Sequence, residues 1–284
     1  MFDLPVYQIV AIIVLAFFCE YIDSTLGMGY GTTLTPVLLI FGSFKTLDIV
    51  RAVLLSELIT GLLASFFHHK EGNVDLKPKS ADIFKISKML SPLGYIETFK
   101  KTVPKHLKIA LLLGLCSVIG TVVAVFVAVN IPKFWLKLYI GIIVLLMGII
   151  MIICFNREFK FSWLKVTILG IIASFNKGMS GGGYGPIVTG GQILSGVESK
   201  SAVGITSFAE GLTCLVGVIA YTVVLITRGE SFNWQLSVVI IFGAVLSVPL
   251  SAKSVKIMSA NKLKLAIAVL TLILGSYTIY NTIR

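Results

Sequence analysis

Seven apolar runs recur along the chain, at 4–22, 49–67, 107–129, 134–155, 203–227, 234–252 and 263–281. Each approaches the roughly 20 residues that a helix needs to cross about 30 Å of hydrocarbon. A segment inside a bilayer must satisfy its own backbone amides, so such runs fold as helices. Shorter apolar arms lie at 32–42, 163–176 and 186–196, and no other segment is long and polar enough for a separate soluble domain. Composition agrees: 56% of the 284 residues are apolar and only 13% are charged, with a mean hydropathy of +0.97, beyond the range of an ordinary soluble domain. Met1-Phe2-Asp3 has no basic n-region, so the first run reads as mature structure and not as a cleaved signal. The expected fold is an all-α polytopic membrane protein.

Two glycine-rich breaks interrupt this pattern. Gly27-Met28-Gly29-Tyr30-Gly31, followed by Thr32-Thr33-Leu34-Thr35, recurs 154 residues later as Gly181-Gly182-Gly183-Tyr184-Gly185, followed by Pro186-Ile187-Val188-Thr189. At an offset of 153, Glu57, Thr60 and Leu62 recur as Glu210, Thr213 and Leu215. Each half thus carries a broken helix and then a helix with a buried glutamate. Glycines in membrane helices also serve close packing, and Gly27-xxx-Gly31 and Gly181-xxx-Gly185 fit that spacing. Duplication and the polar residues nearby favour unwound backbone, which is tolerated at membrane depth only inside protein or beside a polar cavity. Paired broken helices in corresponding positions of two halves point to a transporter's binding site. The arms starting at Thr32 and at Pro186 aim free N–H groups back at the breaks, where a small anion is favoured.

Charge placement gives orientation. Of 24 Lys and Arg, nine crowd between His69 and Lys108, three lie at Arg157, Lys160 and Lys165, and four at Lys253, Lys256, Lys262 and Lys264. The positive-inside rule puts these connections in the cytoplasm. The halves then enter from opposite sides, giving two inverted-topology repeats with broken or re-entrant glycine-rich helices and both termini external. Residues 1–155 form the first repeat, with a basic cytoplasmic linker at 69–106, and 156–284 form the second. An eight-span arrangement with both termini inside is the alternative; it puts the lysines at 253–264 on the wrong side. Within the linker, 81–90 reads as an amphipathic helix on the anionic inner leaflet. The net charge of +11 therefore reports topology and contact with the lipid bilayer, not nucleic-acid binding.

Polar residues cluster at the breaks: Cys19, Glu20 and Asp23 before the first, and Ser174, Asn176, Lys177 and Ser180 before the second. Ionisable groups at membrane depth are costly and mark pathways or proton relays. Lys177 offers a point charge to an anion, with Asn176 and Ser180 as donors; its other reading is a structural bridge to Asp23, its counterpart at the same offset. Glu20, Asp23, Glu57 and Glu210 are candidates for proton coupling, against the alternative of protonated acids that fasten helices by hydrogen bonds. Thr206 and Ser207 stand one turn before Glu210. Asp48, Arg51 and Lys45 read as a cap or pair at a membrane edge, and His68 and His69 as interfacial residues beside the linker. Four isolated cysteines form no C-x-x-C pair and indicate neither metal nor disulfide. The glycines lack the Lys-Ser/Thr of a nucleotide loop.

The glycine break opening into T-P-V-L-L-I-F-G, and G-G-G-Y-G-P-I-V-T-G-G-Q-I-L-S-G followed by A-V-G-I-T-S, resemble the sulfite exporter TauE/SafE family over nearly the whole chain. The resemblance implies a carrier for small sulfur-containing or organic anions such as sulfite or sulfoacetate, commonly driven by an ion gradient. Tyr30 and Tyr184 stand where the family usually has a further glycine; they narrow the site or add hydroxyl donors. The expectation is thus a secondary carrier of a bacterial or archaeal cell (inner) membrane, working by alternating access. It has no cofactor, no catalytic set, and a homodimer as its candidate assembly. The anion is bound by Gly29, Tyr30, Gly31, Thr32, Thr33, Asn176, Lys177, Ser180, Gly183, Tyr184 and Gly185. A passive channel or a membrane-embedded enzyme is the alternative from another class.

Overall fold

In a computed structural model, residues 5–40, 46–77, 103–128, 133–153, 155–156, 160–180, 182–228 and 234–283 are described. They form ten helices and no strand. The chain begins with α1 (Val6–Leu26), α2 (Tyr30–Ile40) and α3 (Thr46–Lys70), then α4 (Lys105–Ala128) and α5 (Lys133–Ile153). The later half repeats this order as α6 (Trp163–Ser180), α7 (Tyr184–Leu194), α8 (Ser199–Arg228), α9 (Trp234–Ile257) and α10 (Ala260–Ile283). The expected amphipathic helix at 81–90 lies outside the described residues.

Among the described residues, α1, α3, α4, α8, α9 and α10 contain segments long and apolar enough to cross a membrane. The predicted run at 134–155 folds as α5. By contrast, α2 and α7 have 11 residues each, about 16 Å of helix, or half the hydrocarbon thickness. The chain unwinds ahead of both. Gly29 (φ +127°) and Gly183 (φ +77°) stand immediately before Tyr30 and Tyr184, in a region closed to most side chains and open to glycine.

The two halves interleave. Helix α1 packs on α9 while α6 packs on α4; α3 packs on α9 while α8 packs on α4; α3 and α8 pair with each other, as do α5 and α10. Close approach follows from small residues: a Cβ on Gly243 of α9 would meet the Ile13 carbonyl of α1, and one on Gly120 of α4 the Ile171 carbonyl of α6. One buried core joins Ile12, Ala16, Tyr30, Leu34 and Val53 to Leu236 and Ile240, and another joins Ile109, Met147, Ala173, Tyr184, Ile187 and Val203 to Ile267. Large apolar side chains such as Phe18, Leu115, Ile219, Phe242 and Ile273 point outward, as lipid-facing residues do.

The segment after α3 is tied across the halves. Asn73 Nδ2 donates to the Ala252 carbonyl at 2.8 Å, Ser201 Oγ donates to the Asn73 carbonyl at 3.3 Å, and Lys256 Nζ donates to Glu71 Oε2 at 2.9 Å. The last bond, with the charges of Lys256, Lys253 and Lys70, holds the Glu71 carboxyl below its ordinary pKa. A carboxylate depressed in the folded state adds stability above its unfolded pKa and loses it as pH falls through the folded value. The melting temperatures of the wild type and Glu71→Gln should therefore differ slightly at neutral pH and converge in strong acid, the gap being small because the pair is exposed to solvent.

Candidate functional site

Helices α3 and α8 cross where glycine removes the space between them: a Cβ on Gly61 would lie 2.8 Å from the Ser207 carbonyl and 3.0 Å from the Gly211 amide nitrogen. The crossing puts Glu57, one turn earlier on α3, opposite Glu210, the neighbour of Gly211. Lys177, in the last turn of α6, reaches both: its Nζ is 2.5 Å from Glu57 Oε2 and 2.8 Å from Glu210 Oε1. All three are buried, with Lys177 only 1% exposed. The Cys214 thiol completes this corner, 3.8 Å from Glu57 Oε2.

The other two acids come from α1. Glu20 accepts Ser24 Oγ at 2.5 Å and Thr60 Oγ1 at 3.1 Å. Asp23 Oδ1 accepts the Tyr30 amide at 3.0 Å and so caps the start of α2. Glu20, Asp23, Glu57 and Glu210 line a single crevice, with about 190 Å³ of empty space but no position wide enough for a water molecule. Four carboxyl groups thus share one crevice, and two of them pair with a single ammonium, in a place where unbalanced charge is expensive.

The breaks themselves touch. A Cβ on Gly185 would fall 2.6 Å from Met28 Cα and closer still to the Gly27 carbonyl oxygen. Thr189 Oγ1 of α7 donates to that carbonyl at 2.8 Å and lies 3.0 Å from Thr206 Oγ1, which accepts Gln192 Nε2 at 2.8 Å. Tyr30 and Tyr184 are fully buried, and the Tyr30 hydroxyl is 2.8 Å from Ser56 Oγ. Asp23 caps the start of α2, whereas Gly183, the residue before α7, has no side chain with which to cap it.

All four predicted carboxyl groups come together, and Asn176 and Lys177 are buried. Gly29, Gly31, Gly183 and Gly185 line the breaks; Thr33 lies within α2, its amide bonded to the Gly29 carbonyl at 3.0 Å. The side chains of Thr32 and Ser180 fall outside what is described, as does Gly181. The ion pairs of Lys177 go to Glu57 and Glu210 and not to Asp23, because the α3–α8 crossing brings both glutamates to the end of α6. His68, expected at the membrane edge beside the linker, is fully buried within the protein, with Nε2 2.8 Å from the Ser24 carbonyl. The folded segment 71–77 covers it, and that cover is invisible in the apolar pattern. Gln192 is a further polar residue that the sequence reading passed over; its Thr206 contact closes only in the fold.

Comparison with known proteins supplies the class. A family model described as "Sulfite exporter TauE/SafE" matches residues 86–278. The chain is 28% identical over 246 residues to "Probable membrane transporter protein YtnM" of Bacillus subtilis (strain 168), covering 82% of this chain and 70% of that protein. No solved structure matches.

Proposed function

Because this chain belongs to the sulfite exporter TauE/SafE family, whose members are membrane transporters, we propose that it is a proton-coupled secondary carrier of a small anion such as sulfite or sulfoacetate. The observation that carries this reading is the buried Lys177–Glu57–Glu210 cluster, drawn from both halves and set beside two touching helix breaks. The carrier consists of two inverted repeats, 1–155 and 156–284, in a bacterial or archaeal cell membrane. Exchange of the halves turns the α1–α9 contact into α6–α4 and α3–α9 into α8–α4 and leaves α3–α8 and α5–α10 in place, which supports a two-fold relation. The half-length of α2 and α7 supports re-entrant arms.

The anion is held at the two breaks by backbone amides of Gly31 and Thr32 and of Gly183 to Gly185, with Asn176, Ser180, Tyr30 and Tyr184. The start of α7 is its first contact, since Asp23 already serves the start of α2. An arriving anion and the two glutamates compete for the Lys177 ammonium. Protons on Glu20, Asp23, Glu57 or Glu210 offset the excess of acid over base while Lys177 is drawn away, which couples anion movement to proton movement. The halves rock about the fixed midplane site.

Flux of sulfite, sulfate, thiosulfate and sulfoacetate in proteoliposomes, with and without a pH gradient, tests the reading. Saturable movement of one anion that responds to the gradient is expected. Current that neither saturates nor needs protons would mean a channel. Glu57→Gln and Glu210→Gln should each retain anion exchange but lose about 99% or more of pH-driven accumulation, a positioned proton-transfer group typically being worth about 10²–10⁴-fold. Full accumulation in either variant removes that residue from coupling.

A further inference from the structure

We infer that His68 and Tyr221 are positioning residues, each tying the helix break of its own half to that half's glutamate-bearing helix and thereby fixing where Asp23 and Lys177 stand. Ser24 is in the last turn of α1 and Gly178 in the last turn of α6. Last-turn carbonyls have no following helical amide to accept from, and in a bilayer no water replaces it. The Ser24 carbonyl is met by His68 Nε2 at 2.8 Å, and the Gly178 carbonyl accepts the Tyr221 hydroxyl at 3.0 Å. Asn73 Nδ2, 3.1 Å from His68 Nδ1, occupies the other ring nitrogen as a donor and leaves the proton on Nε2.

The two bonds correspond. Ser24 and Gly178 are 154 residues apart, as the breaks are, and His68 and Tyr221 are 153 apart, as Glu57 and Glu210 are. Each donor follows its glutamate by 11 residues on one continuous helix, about three turns, so that donor and acid share a face. Each acceptor directly follows a charged residue of the crevice, Asp23 before Ser24 and Lys177 before Gly178. Every half thus has one helix that holds its broken partner at two heights, through the crevice and through a capped carbonyl. Unlike residues, an imidazole and a phenol, perform the same task, so residue identity alone does not reveal the correspondence.

This rests on the reading of the breaks as the solute site, but its test needs no solute. Hydrogen–deuterium exchange is followed by mass spectrometry on the full chain in lipid nanodiscs, for wild type, Tyr221→Phe, His68→Leu and His68→Gln. Tyr221→Phe keeps the ring and removes one donor, so it should fold. It should speed exchange about tenfold across 178–185 while leaving 24–31 unchanged. His68→Leu should do the reverse, and His68→Gln, which retains a donor, should return 24–31 to near wild-type exchange. The inference is overturned if the adjoining break is unaffected in Tyr221→Phe, if exchange rises uniformly in every helix, or if His68→Gln behaves as His68→Leu. Failure of anion flux leaves this exchange pattern intact, so the two readings fail separately.

Discussion

Lys177→Ala should cost the protein about 3–5 kcal/mol, the scale for removing one partner of a buried charge pair, and should abolish transport. Its ammonium is bracketed by Glu57 at 2.5 Å and Glu210 at 2.8 Å, with all three side chains at most 5% exposed. Alanine leaves two buried carboxyl groups facing each other without their shared cation. The decisive variant is the triple Lys177→Ala, Glu57→Gln, Glu210→Gln, which removes the charges together. It should recover most of the lost stability, since replacing a whole buried ionic group with neutral residues is often close to neutral, yet it should carry no solute. Thermal melting in detergent and flux in proteoliposomes measure the two effects independently. If Lys177→Ala melts like the wild type and only raises the half-saturating anion concentration, Lys177 is a ligand for the solute and not the centre of the cluster.

The helices and breaks were legible because the bilayer imposes them. A run of about 20 apolar residues has few ways to satisfy its amides, and duplication marks the breaks twice. Glu57 and Glu210 were legible for the same reason, as acids in runs where acids are expensive. Partner identity was not. The offset of 154 aligns Asp23 with Lys177 and suggests a pair, but equivalence in a duplicated chain does not imply contact. The partners are set by the α3–α8 crossing at Gly61 and Gly211. His68 escaped because a histidine at the end of a hydrophobic run looks the same whether the following loop folds over it or away. The spacing of 11 residues from each glutamate to His68 or Tyr221 was the available signal, and it acquires meaning only when both acceptors are known.

Contact between the two breaks gives the second large effect. Gly185→Ala adds one methyl carbon, and it would land 2.6 Å from Met28 Cα and nearer still to the Gly27 carbonyl oxygen. Both obstacles are backbone, so no rotamer change relieves the clash; α7 must back away from the first break. Overpacking of this kind costs about 1–3 kcal/mol or more. Retreat of α7 also pulls Thr189 from the Gly27 carbonyl, a 2.8 Å bond, and leaves that carbonyl with one donor fewer where water cannot substitute. Gly72→Ala is the control. Gly72 has φ +79° with nothing within 4 Å of an added Cβ, so alanine there brings backbone strain of about 1–2 kcal/mol without moving one break against the other. Gly185→Ala should therefore lower the melting temperature more than Gly72→Ala does and should remove flux, while Gly72→Ala retains it. Should the two variants melt alike and both transport at wild-type rates, the breaks are not in the close contact on which the shared site depends.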